Sequence, residues 1–216
     1  TMSSTIQVDK IQDQGGNTIV ESNGSGVATT RIPTTYLGSG TASSSTFLRG
    51  DQTYAAAGGG KINQVVSTTL TTTFSTSASN FTDITGLSLN ITPVATSSKI
   101  LISTYLSYAE NDGNFKGWGR FMRDSTAIGI GTGSMGSRIP ASFPLNASYN
   151  LGTGDHVAVS SGIFLDSPSS SSQVTYKIQG YGTGAYTLFI NRTGDDDDDA
   201  NTGRFASTIT AMEILV

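Results

Sequence analysis

Cysteine is absent from the sequence, which removes disulfides, zinc–thiolate sites and thiol nucleophiles together. A chain that works outside a cell without such staples must draw its durability from elsewhere, and self-association is the obvious source. Charge is sparse too: Asp, Glu, Lys and Arg make up 13% of the 216 residues. The 12 basic residues are scattered singly, the formal net charge is −4, and the pI is near 4.8. A duplex-binding protein gathers Lys and Arg on one face, because phosphate neutralisation supplies most of its affinity. No nucleic-acid partner is therefore expected. No apolar run approaches the ~20 residues that span a bilayer, so no membrane insertion is expected either. Thr1–Lys10 lacks the basic and apolar regions of a secretory signal, and the chain reads as soluble and not exported by the general route.

What is present is glycine (26 residues) with Ser, Thr and Asn throughout, and 36% hydrophobic residues grouped into short Val/Ile/Leu/Tyr/Phe runs that can fill a core. Three zones follow. Residues 1–26 hold an alternating Ile6, Val8, Ile11 stretch, a turn at Gly15-Gly16-Asn17 and a return strand at Thr18–Glu21. A lone hairpin is marginal in water, so this segment is expected to dock as an anchor. Residues 27–60 are rich in Gly and Ser, with isolated anchors at Tyr36, Phe47, Leu48 and Tyr54, and close on Ala55-Ala56-Ala57-Gly58-Gly59-Gly60. Without a heptad they read as a linker or an extended, intertwined shaft.

Residues 61–216 are the size of one domain. Candidate strands lie near Asn63–Thr69, Phe81–Thr92, Lys99–Tyr108, Gly117–Ile130, Asp155–Leu165, Gln173–Tyr181, Tyr186–Asn191 and Phe205–Leu215. No segment sustains helical apolar spacing. The expectation is an all-β fold: a C-terminal antiparallel β-sandwich, a jelly roll of about eight strands, preceded by the anchor and shaft. An immunoglobulin-like sandwich is the alternative.

Chemical motifs are few. Gly131-Thr132-Gly133-Ser134-Met135-Gly136 spells GxGxxG, but Ile139-Pro140 and Phe143-Pro144 follow, which denies it the helix a dinucleotide site needs. Arg49-Gly50-Asp51 is ordinary turn chemistry as well as an integrin tripeptide. The single histidine, His156, has Asp155 beside it and Asp166 nearby, without a nucleophile that spacing would select. Asp83, Asp112, Asp124 and Asp166 read as turn residues, and no pair of them spans a cleft. The run from Asp195 to Asp199 reads as a solvated loop, with Asp195, Asp197 and Asp199 as the candidates for holding Ca²⁺, the one cofactor considered. Phe115-Lys116-Gly117-Trp118-Gly119-Arg120-Phe121-Met122-Arg123 mixes aromatics with bases and holds the only Trp. Trp118, Arg120 and Arg123 are the candidates for contacting a receptor, although the plainer reading is that Trp118 and Phe121 fill the core or a subunit interface. The sequons at Asn80, Asn90, Asn146 and Asn191 follow from the composition.

Several of these residues carry a family resemblance. Ser4–Ile11 with Gly15-Gly16-Asn17 resembles the amino-terminal segment of fibre-like structural proteins of marine tailed phages. Ala42–Tyr54 is similar to the ASSSTFLRGDGTW stretch of phage tail fibres, with Gln52 and Tyr54 where that stretch has Gly and Trp. Ser97–Ile102 and Thr208–Ile214 resemble strands of trimeric jelly-roll heads of the complement/tumour-necrosis-factor type. The resemblance implies a virion location, a homotrimer, contact with other virion proteins through the N-terminus, and a distal head that meets host surface glycan or protein. It carries over no catalytic residue, and the chain is not expected to be an enzyme. A capsid decoration or head fibre without receptor role, or a β-sandwich carbohydrate-binding module, are the alternatives.

Overall fold

The computed structural model describes residues 10–16, 18–21, 38–41, 43–56, 61–111, 116–145 and 156–216. The chain divides into two compact units, Thr1–Gly59 and Gly60–Val216. All regular structure among the described residues is β-strand, and no helix there is long and apolar enough to cross a membrane.

In the first unit, β1 (Lys10–Gln12) pairs antiparallel with β2 (Thr18–Glu21). The turn between them closes through the Gly16 amide on the Asp13 carbonyl, at 3.0 Å. The rest of the expected anchor (residues 1–9, 17 and 22–26) lies outside the described residues. A second hairpin joins β3 (Thr46–Leu48) to β4 (Tyr54–Ala56). Its turn puts Gln52 at φ 62°, the left-handed region where glycine is cheapest. Gln52 is also the position at which the resembled stretch has Gly. Alongside, the Ser39 amide donates to the Gln52 carbonyl and the Tyr54 amide to the Ser39 carbonyl, both at 2.8 Å. Gly38 and Gly40 flank that contact, where a Cβ would run into backbone oxygens of Gln52 and Tyr54. Over its described part the Gly/Ser-rich stretch holds this hairpin with a third backbone segment against it, where Gly38 and Gly40 permit the approach. Tyr36 lies outside the described residues.

The second unit contains β5 (Ile62–Leu70), β6 (Phe74–Thr76), β7 (Phe81–Ile91), β8 (Lys99–Glu110), β9 (Gly117–Arg123), β10 (Thr126–Ile128), β11 (Phe143–Leu145), β12 (Ala158–Asp166), β13 (Val174–Tyr181), β14 (Leu188–Ile190) and β15 (Ser207–Ile214). In one sheet β8 is flanked by β12 on one side and by β15 and β14, end to end, on the other. β5 and β6 lie beyond these. In the second sheet the order is β7, β13, β9, with β10 and β11 end to end along the far side of β9. All pairings are antiparallel, and the two sheets form the expected jelly-roll sandwich.

Period-two burial in β13 and β15 reflects one face in the core and one outside. Ile100, Ile102 and Leu106 of β8 and Ile209 and Ala211 of β15 share that core with Leu87, Leu89 and Ile91 of β7, Phe121 of β9, and Tyr176 and Ile178 of β13. In β7, Ile84 and Leu87 both point inward although three residues apart. A bulge there, with Gly86 at φ 92°, shifts the register against β13 by three residues and lets both face the core. Phe143 stacks edge-on to Phe121 at 5.3 Å, over Gly119 and Gly162, where a Cβ would collide with its ring.

Five features differ from expectation. The strand expected over Gly117–Ile130 is two strands, broken at Asp124, which has φ 51°. The short strands β6 and β11 were not expected, the latter because Pro144 lies within it. Asp83 and Asp166, expected in turns, lie in β7 and β12.

Two buried polar residues tie the first sheet together. Asn191, with φ 62°, fills the gap between β14 and β15. Its Nδ2 donates to the carbonyls of Leu70 (2.8 Å) and Thr72 (3.0 Å), and its Oδ1 accepts from Ser207 Oγ (2.6 Å). Glu213 accepts from Gln64 (2.6 Å), Asn63 (2.8 Å) and the Val94 amide (2.7 Å). Burial pushes its carboxyl up, but these donors, Gln64 and Asn63 foremost, outweigh it and hold the pKa at about 2.

Candidate functional site

Alternation along β9 sorts the candidate receptor residues. Trp118 and Arg120 fall on the outer face, while Gly119, Phe121 and Arg123 fall on the inner one. Register then brings partners to the outer pair from two neighbouring strands. Trp118 stands opposite Tyr181, which stands opposite Phe81, and Pro144 of β11 continues the row beyond Trp118. Phe81 and Tyr181 meet edge to face at 5.4 Å. In the adjacent row Arg120 stands opposite Gln179 and Gln179 opposite Asp83.

These side chains brace one another. The Arg120 guanidinium lies over the Phe81 ring, 3.9 Å from its centroid, and its Nε donates to Gln179 Oε1 at 2.8 Å. Gln179 Nε2 donates to Asp83 Oδ1 at 2.5 Å, and Lys177 Nζ to Asp83 Oδ2 at 2.6 Å. Burial raises the Asp83 carboxyl, but Lys177 and Gln179 outweigh it and hold the pKa below its usual value. The outcome is a ledge of half-buried aromatics beside a fixed polar row. The sequence reading found Trp118 and Arg120 but missed Phe81, Asp83, Gln179 and Tyr181. The signal was available: Lys177, Gln179 and Tyr181 share the outward parity of β13.

Arg123 is not part of this ledge. Its Nη1 donates to both Asp166 oxygens, at 2.9 and 3.0 Å, and to the Ser167 carbonyl at 3.2 Å. Tyr176 Oη donates to Asp166 Oδ2 at 2.6 Å, and burial together with that carboxylate pushes the phenol pKa up. Asp166 is buried, so this trio is internal scaffolding rather than a contact surface.

The remaining candidates are dispersed. His156 is exposed; Asp155, Asp112 and Phe115 lie outside the described residues, and Asp166 is committed to Arg123. Asp195–Asp199 forms a loop, as expected, but a tethered one. Asp196 pairs with both Arg192 and Arg204, and the hydroxyls of Thr193 and Thr202 bond carbonyls of Asp195, Asp197 and Asp199. Among the described residues no three acidic or imidazole groups converge to hold a metal ion, and Asp199 Oδ1 is occupied by the Asn201 amide at 2.7 Å. Residues 131–136 lie in the loop between β10 and β11. In Arg49-Gly50-Asp51 the aspartate accepts from the Thr53 hydroxyl (2.6 Å) and amide (3.1 Å), which hold its carboxyl below its usual value.

The opposite sheet presents a surface of another kind. Residues facing outward there align in rows: Val65, Met212, Leu101 and Leu165; then Ser67, Thr210, Ser103 and Ile163; then Thr69, Thr208, Tyr105 and Ser161. Ile163 is 70% exposed, and Val65, Tyr105, Val159 and Leu165 are about half exposed. None of the residues in these rows is charged.

No family model matches the sequence, and no curated protein matches it. Among solved structures, the chain is similar to infectious bursal disease virus, Gt strain, at 14% identity and a TM-score of 0.36, covering 76% of this chain and 40% of that one. A mutant VP2 protein of the same virus, in derived T=1 particles, aligns at 12% identity and a TM-score of 0.36, over 76% of this chain and 39% of that one. The Gx strain structure gives 13% identity and a TM-score of 0.32, over 76% and 40%. The chain thus spans less than half the length of those chains.

Proposed function

We propose that the chain is the subunit of a homotrimeric phage fibre or spike. In this reading its first unit attaches to other virion proteins, its second unit meets the host surface, and it has no enzymatic role. The observation that carries the reading is the outer face formed by β5, β15, β8 and β12, uncharged across its three central rows and with Lys99 at one end. Apolar residues scattered singly over a surface need no explanation, whereas several gathered on one uncharged, hydroxyl-lined face point to an association surface. Val65, Leu165, Ile163, Tyr105 and Val159 are all on this one face and are each about half exposed or more. Covering it with copies of itself gives a cysteine-free head the added stability that linkage provides. Three as the copy number comes from the resemblance of Ser97–Ile102 and Thr208–Ile214 to trimeric heads. The resemblance of Ala42–Tyr54 to tail-fibre stretches supports placement on a virion.

Mass measurement of the full chain in solution tests this. Three copies are expected, and a lone subunit would overturn the proposal. Ile163→Lys is expected to separate the copies while the β-type circular dichroism stays unchanged, since Ile163 supports nothing inside its own sandwich.

A further inference from the structure

We propose that the outer ledge of the β7–β13–β9 sheet binds a carboxylate-bearing saccharide. This deepens the host-contact half of the reading above, and it stands or falls independently of the copy number.

The aromatic row supplies the first half of the argument. Strands lie about 4.8 Å apart, so Phe81 and Trp118, on either side of Tyr181, are about 10 Å apart, a span that a disaccharide bridges. Aromatic side chains offer large, rigid faces at little entropic cost and are enriched with Arg at binding hot spots. The polar row supplies the second half. Arg120 is held by Phe81 beneath and by Gln179 at Nε, so its guanidinium is oriented before any ligand arrives. Its terminal nitrogens have no hydrogen-bond partner among the described residues, which leaves the fork that grips a carboxylate with two parallel bonds.

Charge decides the ligand class. Lys177 pairs with Asp83, and Arg120 feels the same single carboxylate, so among the described residues of these two rows there is one excess positive charge on a chain whose net charge is −4. A neutral sugar would stack on the rings and leave that fork empty. A nucleic acid would meet a repulsive molecule around one small positive spot.

Because Trp118 is the only tryptophan, its emission reports directly on the ledge. The experiment titrates the full chain with oligogalacturonate, a hyaluronan tetrasaccharide and sialyllactose, each beside its neutral methyl ester. At least one acid form is expected to change Trp118 emission saturably, with its ester at least tenfold weaker. Arg120→Gln is expected to weaken the acid form about tenfold and to leave the ester unchanged, whereas Tyr181→Ala weakens both. Arg120→Lys keeps the charge without the fork and is expected to fall between wild type and Arg120→Gln. Failure of all three acids to bind, equal affinity for acid and ester, or an Arg120→Gln protein that binds like wild type would each overturn the proposal. None of these results bears on the mass measurement, so the two readings fail separately.

Discussion

Replacing Asn191 by alanine removes three hydrogen bonds at once from a residue that is fully buried. The Leu70 carbonyl and the Ser207 hydroxyl are left buried without this partner, and the Thr72 carbonyl is left where water can partly replace it. Unsatisfied buried groups cost about 1–3 kcal/mol each. Alanine must also adopt the φ of 62° that asparagine tolerates, at about 1 kcal/mol. The sum is roughly 3–7 kcal/mol, comparable with the whole stability of many domains. Urea unfolding of the full chain at fixed concentration, followed by Trp118 emission, reads this directly. With a slope of about 2 kcal/mol/M the midpoint should fall by roughly 1.5–3.5 M. Asn191→Gly loses the same bonds without the backbone strain, and its midpoint should lie about 0.5 M above that of the alanine variant. An alanine variant within 1 kcal/mol of wild type would refute the reasoning. Equal midpoints for alanine and glycine would refute the backbone part alone.

Two further outcomes follow from the buried charges. Glu213 has a pKa of about 2 in the folded chain against an ordinary 4.5, so its contribution, about 3 kcal/mol by linkage, is complete above pH 5 and is lost as the pH falls toward 2. Melting temperatures measured from pH 7 to 2.5 should drop along that limb, and Glu213→Gln should flatten it while lowering the value at pH 7. Arg123→Ala leaves Asp166 buried beside Tyr176 without its cation and should cost about 3 kcal/mol in urea unfolding. It should leave saccharide affinity unchanged, because its side chain serves the inner face.

What could be read from the sequence and what could not divides along physical lines. Alternation identified β7 and β15 and the all-β class, because inward residues such as Leu87, Leu89 and Ile209 repeat with period two. The break at Asp124 was legible only in part: the aspartate itself reads as a turn residue and tolerates the left-handed region, but the apolar runs on either side of it read as one strand. β11 was hidden by Pro144, tolerated there in a short strand at the sheet margin. Within the candidate site, Trp118 and Arg120 were conspicuous as types, and counting by twos would have excluded Arg123. Phe81 and Tyr181 join the site only through strand register, which spans a hundred residues of sequence. The roles of Asn191 and Glu213 were hidden for the same reason: their partners Leu70, Gln64 and Asn63 are more than a hundred positions away.

The adjacency of β5 and β15 has a mechanical consequence. Ile62 stands opposite Ile214, and the Leu215 amide donates to the Lys61 carbonyl at 2.7 Å, so the second unit is entered and left at the same end, along its margin. Tension on Lys61 directed away from the sheet would unzip β5 rung by rung instead of loading all its rungs together. A cargo spliced after Val216 would emerge beside Lys61, leaving the far tip of the sandwich unencumbered.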